Sequence, residues 1–271
     1  MKIETLFPLT ISDSSLSDLY LCELAWFRKY CQKLSTSVHN PDLIAGKAFA
    51  KACELTRKAY YTDKVDEEDA VAIGYEYILN SEDTYDTKKS LERIAFCFKK
   101  YFETFPLQYV LPPCELIDGT HAVEYKFKLD LGIPHPDIPN VNICLTGILD
   151  YLCEEYIMGK PKRYILDEKT AGKVFRNSDG SVDKAKEALS YKTAGQFLCY
   201  AFAAKQLGIE CNDALIRKVP IMEKYTKAFE LQIHYNDWAI EQWFISTRNK
   251  IIDLVEKYKL YKSSSLNSTS V

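Results

Sequence analysis

Three charged side chains stand out because their types and spacing could do chemistry. Asp150 follows the apolar run GIL, and Asp167 and Lys169 follow a second apolar run, YIL. Two carboxylates on neighbouring strands would form a hard-oxygen site that suits Mg²⁺ or Mn²⁺. A lysine beside them could orient a water molecule or stabilise negative charge as it develops. These are the residue types that metal-dependent hydrolysis of a phosphodiester bond requires.

Alternation along a strand separates the roles of these neighbours. Asp167 and Lys169 are two residues apart, so they face the same side of a strand, while Glu168 faces the other. We therefore expect Asp167 to bind the metal with Lys169 beside it. Glu168 is expected to offer its backbone carbonyl rather than its carboxylate.

The elements that must position these residues change type along the chain. Helical spacing of apolar residues predicts six helices: Ser14–Leu34, Ala45–Tyr61, Asp66–Leu79, Thr87–Phe105, Ser190–Leu207 and Asn236–Tyr261. Alternating or short apolar runs predict five strands: Ala122–Leu131, Asn142–Glu154, Arg163–Thr170, Asp213–Pro220 and Ala228–His234. Asp150 and Asp167 would then lie at or near the ends of neighbouring strands, at one edge of a sheet.

This order of elements predicts an α/β fold with a mixed central sheet flanked by helices and a helical N-terminal extension. We expect a single domain over residues 1–262, with a helical part at 1–106 and a sheet-containing core at 107–262. The serine-rich residues 263–271 are expected to be disordered. The polar segment Lys173–Lys186 is predicted to be a mobile loop.

A further pair of residues follows the motif strand on a predicted helix. Gln196 and Tyr200 are four apart, so they share one helical face. With them, the series resembles the PD-(D/E)XK nuclease superfamily, in its RecB-like branch, which includes CRISPR-associated and phage-type exonucleases. The resemblance follows the chain in order but rests on few letters, which are Gly147, Asp150, Asp167, Lys169, Thr170, Gln196 and Tyr200.

The resemblance implies a restriction-endonuclease-like fold and a role for each matching residue. Asp150 and Asp167 would bind Mg²⁺ or Mn²⁺ together with the carbonyl of Glu168, and Lys169 would position the attacking water. Gln196 would orient Lys169 or the scissile phosphate, and Tyr200 would support the site. Glu124, on the preceding strand, is a secondary catalytic candidate because many relatives carry a glutamate there.

The sequence departs from this family in two places. Relatives often carry a histidine four residues after a glycine in an early helix, but here Gly46 leads to Ala50. Glu54, one turn later, could take that place. Some relatives hold an iron–sulfur cluster with one early cysteine and a late trio. Here only Cys211 follows the Gln196 helix, so no cluster is expected.

Contacts to nucleic acid are expected mainly from the segment after the catalytic strand. Its candidates are Thr170, Lys173, Arg176 and Lys192. An alternative is the early helix, where Trp26, Phe27 and Tyr30 lie among basic residues and could stack on unpaired bases.

Composition and net charge limit the classes of protein to which this sequence can belong. Of 271 residues, 47% are hydrophobic, and the net charge of −3 excludes a global basic field. The sequence shows neither a transmembrane run nor a signal-peptide pattern, so we expect a cytoplasmic protein without a membrane partner. Its nine cysteines are expected as buried thiols, and its four histidines as surface residues.

The sequence therefore predicts a Mg²⁺- or Mn²⁺-dependent DNA nuclease, most simply an exonuclease in recombination, repair or phage DNA processing. Two alternatives stay open: a DNA-binding module with this fold and little or no catalysis, and a structural protein whose charged strand end protects a sheet edge. DNA is the expected partner. A homo-oligomer or a recombination partner protein would supply processivity, and no sequence feature identifies one.

Overall fold

The computed structural model describes residues 6–34, 40–116, 119–222 and 224–267, which are arranged around a six-stranded sheet. Its strands are β1 (Thr10–Ser12), β2 (Val123–Pro134), β3 (Asn142–Ile157), β4 (Lys160–Ala171), β5 (Asp213–Pro220) and β6 (Phe229–His234). Branched and aromatic residues alternate along β2 and β6, which suits strands with one buried face.

Strand β3 organises the sheet because three other strands pair with it. β2 runs antiparallel along one edge of β3. On the opposite edge, β1 pairs in parallel beside Cys144–Thr146, and β4 pairs antiparallel beside Tyr151–Ile157. β5 then adds in parallel to β4, and β6 adds antiparallel to β5. The prediction of an α/β fold with a mixed sheet flanked by helices is confirmed.

Helices cover both faces of this sheet. They are α1 (Asp13–Leu21), α2 (Glu23–Trp26), α3 (Pro41–Arg57), α4 (Glu67–Leu79), α5 (Leu91–Thr104), α6 (Lys184–Lys192), α7 (Gly195–Gln206) and α8 (Asp237–Asn267). A π-helical turn follows α2 at Phe27–Cys31, and another follows α3 at Lys58–Thr62.

The two helical layers have separate apolar cores. Residues of α1, α7 and α8 pack with β2 and β3, as Leu16, Phe197 and Ile251 do around Leu145. Helices α3, α4 and α5 form the other layer, whose core also takes up Val219 and Ile221 at the end of β5. The helical N-terminal part therefore packs directly on the sheet.

Several predicted element boundaries are wrong. The short strand β1 was not predicted, and the first predicted helix ends at Leu21 because Cys22 is extended, with φ −161°. The segment predicted as a loop to Lys186 already becomes helical at Lys184. The helix predicted over Ser190–Leu207 is interrupted before Gly195, where α7 begins.

Two residues expected at the surface are buried instead. His135 is 5% exposed, and its Nδ1 accepts backbone N–H groups of Asp137 and Ile138. Trp26 is fully buried and donates its indole N–H to Ser15 Oγ at 2.8 Å, so it cannot stack on a base. His39 lies outside the described residues.

Helix α8 continues through residues 263–267, where the composition predicted disorder, and residues 268–271 lie outside the described part. The hydroxyls of Ser263 and Ser264 both donate to the carbonyl of Leu260, at 2.9 and 2.7 Å, so these serines are accommodated in a helix. Within the described ranges, no helix has both the length and the hydropathy needed to cross a membrane.

Candidate active site

Strands β3 and β4 separate at the level of the two aspartates. Their ladder runs from Ile157↔Lys160 to Tyr151↔Leu166, and the next step would set Asp150 opposite Asp167. Beyond this point β4 is registered with β5, while the same edge of β3 is next paired with β1, at Cys144–Thr146. Asp150 thus borders a fork in the sheet.

The expectation that both aspartates lie at or near strand ends is wrong for Asp150, because β3 continues to Ile157. Asp167 likewise lies inside β4, which ends at Ala171. Both aspartates are therefore fixed by backbone on either side. Their proximity comes from the register of two interior strand positions rather than from a sheet edge.

Asp167 is a buried carboxylate whose described contact is an ion pair rather than a well-directed hydrogen bond. Its side chain is 0% exposed, and neither carboxylate oxygen accepts a hydrogen bond from a described residue. Lys169 Nζ lies 2.6 Å from Asp167 Oδ2 as an ion pair, off the direction of a hydrogen bond. Burying a carboxylate with open lone pairs is costly unless a cation compensates it.

Asp150 lies in the same buried environment, which changes its pKa. Burial raises the pKa of Asp150 well above its ordinary range, and the Asp167 carboxylate raises it further, while Lys169 acts to lower it. Two carboxylates this close disfavour double ionisation without a compensating cation. A divalent ion between them would reverse that preference.

Glu124 brings a third carboxylate to the same level of the sheet. It lies between Val123, paired with Tyr151, and Tyr125, paired with Leu149, so it stands beside Asp150. Its φ of 52° is left-handed, which is uncommon for glutamate. Burial, followed by the charge of Glu54, raises the pKa of Glu124 to about 7.

Glu54 extends this acidic group from helix α3, but its carboxylate is already engaged. Lys51 and Lys58 each lie 2.6 Å from one of its oxygens. The residue is therefore near Glu124 without being a free ligand.

Glu168 faces the opposite side of the sheet. Its buried carboxylate pairs with the Arg57 guanidinium and accepts the Tyr101 hydroxyl at 2.5 Å. The Arg57 guanidinium also lies 4.6 Å from the ring centroid of Tyr151. With its side chain held there, Glu168 can offer only its backbone carbonyl to a cation at Asp150 and Asp167.

Lys169 remains cationic although its side chain is only 29% exposed. Burial acts to lower the pKa of Lys169, but the charges of Asp167 and Asp150 outweigh it, so the pKa is raised. The ammonium lies 5.9 Å from the ring centroid of Phe197 on α7. It is thus confined between the acids and this helix.

Gln196 and Tyr200 approach the acids from the first turns of α7. Gln196 Nε2 donates to the Tyr200 hydroxyl at 2.9 Å. Burial and the neighbouring Asp150 carboxylate raise the pKa of Tyr200. The hydroxyl therefore stays protonated and can donate a hydrogen bond into the site.

The four nucleic-acid candidates lie in different settings. Thr170 and Lys173 line an open cleft of about 650 Å³. The Arg176 guanidinium is engaged by the Gly180 carbonyl at 2.7 Å and the Thr226 hydroxyl at 2.8 Å. Lys192 is exposed at the end of α6. Of these four, Thr170 and Lys173 therefore border the same open space.

Four residues near the site were missed by the sequence analysis, namely Asp13, Glu187, Tyr191 and Lys218. Asp13 begins α1, and its Oδ1 would lie 3.2 Å from a Cβ at Gly195; burial raises its pKa and Lys169 lowers it. Lys218 is in register with Lys169 and pairs with the buried Glu187. The Lys218 ammonium lies 5.7 Å from the Tyr191 ring centroid. None of these residues has a sequence spacing that relates it to the motif.

The oxygen donors at the site meet the basic needs of a divalent metal. In the described ranges, no group of three or more His, Cys, Asp or Glu residues is arranged to hold a metal ion. Two carboxylates and one backbone carbonyl form a smaller, all-oxygen set, which fits Mg²⁺ or Mn²⁺ with water completing the shell. The unfilled oxygens of Asp167 are the observation that favours a cation there.

Comparison with known proteins adds little to this geometry. No protein-family model matches the sequence, and a search of curated proteins finds no match. Among solved structures, the chain is similar to the crystal structure of a "Putative exonuclease" from Eubacterium rectale, at 12% identity and a TM-score of 0.49. The alignment covers 91% of this chain and 80% of that one. The function must therefore be inferred from the side chains of the site.

Proposed function

We propose that this protein is a metal-dependent nuclease that hydrolyses phosphodiester bonds in DNA. The observation that supports it most strongly is the fully buried Asp167 carboxylate, which lies beside the Asp150 carboxyl and is paired with the Lys169 ammonium at 2.6 Å. A protein that needed only a salt bridge would satisfy that carboxylate with hydrogen bonds. A site that binds a metal ion and a substrate would need carboxylate oxygens that are not permanently occupied by hydrogen-bond donors.

Each side chain then has a definite task. Asp150, Asp167 and the Glu168 carbonyl would hold Mg²⁺ or Mn²⁺, which polarises a phosphoryl oxygen and lowers the pKa of a bound water. Lys169 orients the attacking water and offsets negative charge that develops on the phosphate. Gln196 fixes the Tyr200 hydroxyl, which stays protonated as a donor facing the acids. Glu124, with a pKa of about 7, can accept or release a proton near neutral pH.

The first test is cleavage of 5′- and 3′-labelled single- and double-stranded DNA with Mg²⁺, Mn²⁺ or EDTA. We expect metal-dependent cutting that Lys169→Ala reduces by at least about 100-fold, because removing a stabilising charge typically costs that much. Lys160→Ala is the matched control, because Lys160 is exposed at the far end of the β3–β4 ladder. Loss of activity in both variants, or equal activity in EDTA, would refute the proposed mechanism.

A binding module without catalysis is the second candidate, and one observation favours it. The Lys169 ammonium already lies against Asp167, where it could replace a cation permanently. DNA binding by the wild-type protein without cutting under any metal would support this alternative. The third reading, a charged strand end that protects a sheet edge, is disfavoured because the Asp167 side chain is 0% exposed and so cannot solvate an edge.

A further inference from the structure

The open cleft of about 650 Å³ begins where the catalytic strand ends. Ala171 is in register with Pro220, and the Ile221 N–H donates to the Ala171 carbonyl at 2.8 Å, so the loop after β5 leaves beside the end of β4. Thr170, Lys173 and Lys224 all line the cleft. A chain that lies in this cleft therefore reaches the end of the strand that carries Asp167 and Lys169, on the face that Thr170 shares with Glu168.

Four lysines and two aspartates, Asp42 and Asp86, line this cleft, so cations are in excess. Lys88, Lys173 and Lys224 are exposed, and none of them forms an ion pair with a described residue. Lys89 also lines the cleft but is paired with Asp42. Three exposed ammonium groups around one groove suit a phosphate backbone.

Exposed aromatic rings continue the same surface. Phe96 on α5 is 44% exposed and Tyr225, next to Lys224, is 42% exposed; their ring centroids are 5.6 Å apart. The Lys100 ammonium lies 6.0 Å from the Phe96 ring centroid. Helix α5 is held to this loop because Arg93 donates to the Met222 carbonyl at 2.6 Å. Helix α5 and the loop after β5, which carry the two rings, are thus held together.

A third exposed ring, that of Phe175, lies in the loop that follows β4. Phe175 is 44% exposed, with the Lys186 ammonium 4.6 Å from its ring centroid. The hydrogen bond between Arg176 and Thr226, at 2.8 Å, ties this loop to the one that carries Tyr225. Large rings that face solvent among cations offer stacking faces for bases. The bases of a duplex are already stacked on one another, so such faces favour an unpaired strand.

We propose that the cleft and the Phe96–Tyr225 pair bind a single strand of DNA, with the lysines on its phosphates and the rings on its bases. The inference rests on the proposed function, because the strand would be led toward Asp167 and Lys169. Binding can nevertheless be measured without cleavage. An inactive protein that still binds single strands through this surface would refute only the nuclease proposal.

The test is fluorescence anisotropy with a labelled oligothymidylate of about 20 nucleotides and a duplex of the same length, in EDTA, over a series of salt concentrations. The wild-type protein should bind the single strand more tightly than the duplex. Phe96→Ala/Tyr225→Ala should weaken single-strand binding about tenfold or more and leave the salt dependence unchanged. Lys173→Ala/Lys224→Ala should lower the slope of log affinity against log salt by about 0.7 for each phosphate that the protein no longer neutralises.

Tyr156→Ala and Lys160→Ala are the matched controls, because both residues are exposed in the β3–β4 hairpin at the far end of that ladder. Far-UV circular dichroism checks the fold of each variant. Tyr225→Ala alone, in a loop, replaces the double variant if the change at Phe96 disturbs α5, and should still weaken binding several-fold. Unchanged binding after removal of the rings, equal affinity for the duplex, or no single-strand binding by the wild-type protein would each overturn the proposal.

Discussion

At the scale of single residues, the site is a cluster of acidic side chains whose ionisation is opposed by burial. Asp150 and Glu124 both have raised pKa values, for which burial is the largest cause. Lys169 is the cation that offsets them. The free energy of unfolding therefore depends on pH, and this dependence can be measured without a substrate.

The sign of that dependence follows from Glu124. Its pKa of about 7 when folded lies above its ordinary value of 4.5, so the folded protein binds more protons in this interval. Stability of the metal-free protein should therefore fall as pH rises from about 4.5 to about 7, and then level off. Because Glu124 is partly exposed, its contribution should be about 1–2 kcal/mol rather than the full value of the shift.

Urea unfolding across this pH range checks the expectation. Glu124→Gln should show a smaller loss of unfolding free energy than the wild-type protein, with some loss remaining from Asp150. Glu256→Gln, at an exposed position in α8, should behave as wild type. Equal slopes in wild type and Glu124→Gln would mean that Glu124 is not held in its protonated form.

At the scale of elements, close packing of the N-terminal helices positions α3 beside the site. A Cβ at Gly74 on α4 would lie 2.5 Å from Phe98 Cζ and 2.9 Å from the Ala52 carbonyl oxygen. Helices α3, α4 and α5 thus meet at Gly74, where the absence of a side chain allows them to approach closely. Gly46 on α3 differs, since among the described residues a Cβ there would meet Thr170 Oγ1 alone, at 3.4 Å.

These two glycines make a matched pair of variants. Alanine at either position improves helix propensity by about 1 kcal/mol. Gly74→Ala should nevertheless destabilise the protein by about 1–3 kcal/mol, because the overlap cannot relax without shifting a helix. Gly46→Ala should be neutral or slightly stabilising. Thermal unfolding of both variants decides the matter, and a stabilising Gly74→Ala would contradict this account of the packing.

At the scale of the whole molecule, a buried polar group joins the helical part to the sheet. Arg57 on α3 and Tyr101 on α5 both bind Glu168 on β4, and Arg217 on β5 donates to the Tyr101 hydroxyl at 3.3 Å. The apolar core of the helical layer includes β5 residues as well. We therefore expect residues 1–262 to unfold as one cooperative unit.

Glu168→Gln tests this connection. Removing one partner leaves the Arg57 charge buried without its counter-ion, which should cost about 3–5 kcal/mol. Far-UV circular dichroism and tryptophan fluorescence should still report one common transition. Lys58→Met is the control, because it breaks the ion pair with Glu54 in which the lysine side chain is 47% exposed. It should lower the free energy of unfolding by less than about 1 kcal/mol. Separate transitions for the two probes would show that the helical part unfolds independently.

The sequence by itself determined the fold class and the face of β4 on which each of its charged residues lies. Alternation is a local property, so Asp167 and Lys169 could be assigned to one strand face and Glu168 to the other. Helical spacing is equally local, which is why α3, α4, α5 and α8 were recognisable. The three residues of β1 carry too short a pattern to be detected, and the extended Cys22 has no signal of its own.

Only the tertiary structure decided how the site is assembled. The fork at Asp150 and Asp167 depends on where the β1 and β4 ladders stop along β3, which is a matter of pairing between distant segments. Asp13 and Lys218 approach Lys169 from a helix and a strand far away in the chain. The burial that leaves the Asp167 oxygens unfilled likewise exists only once both helical layers have packed, because desolvation depends on neighbours that no local pattern specifies.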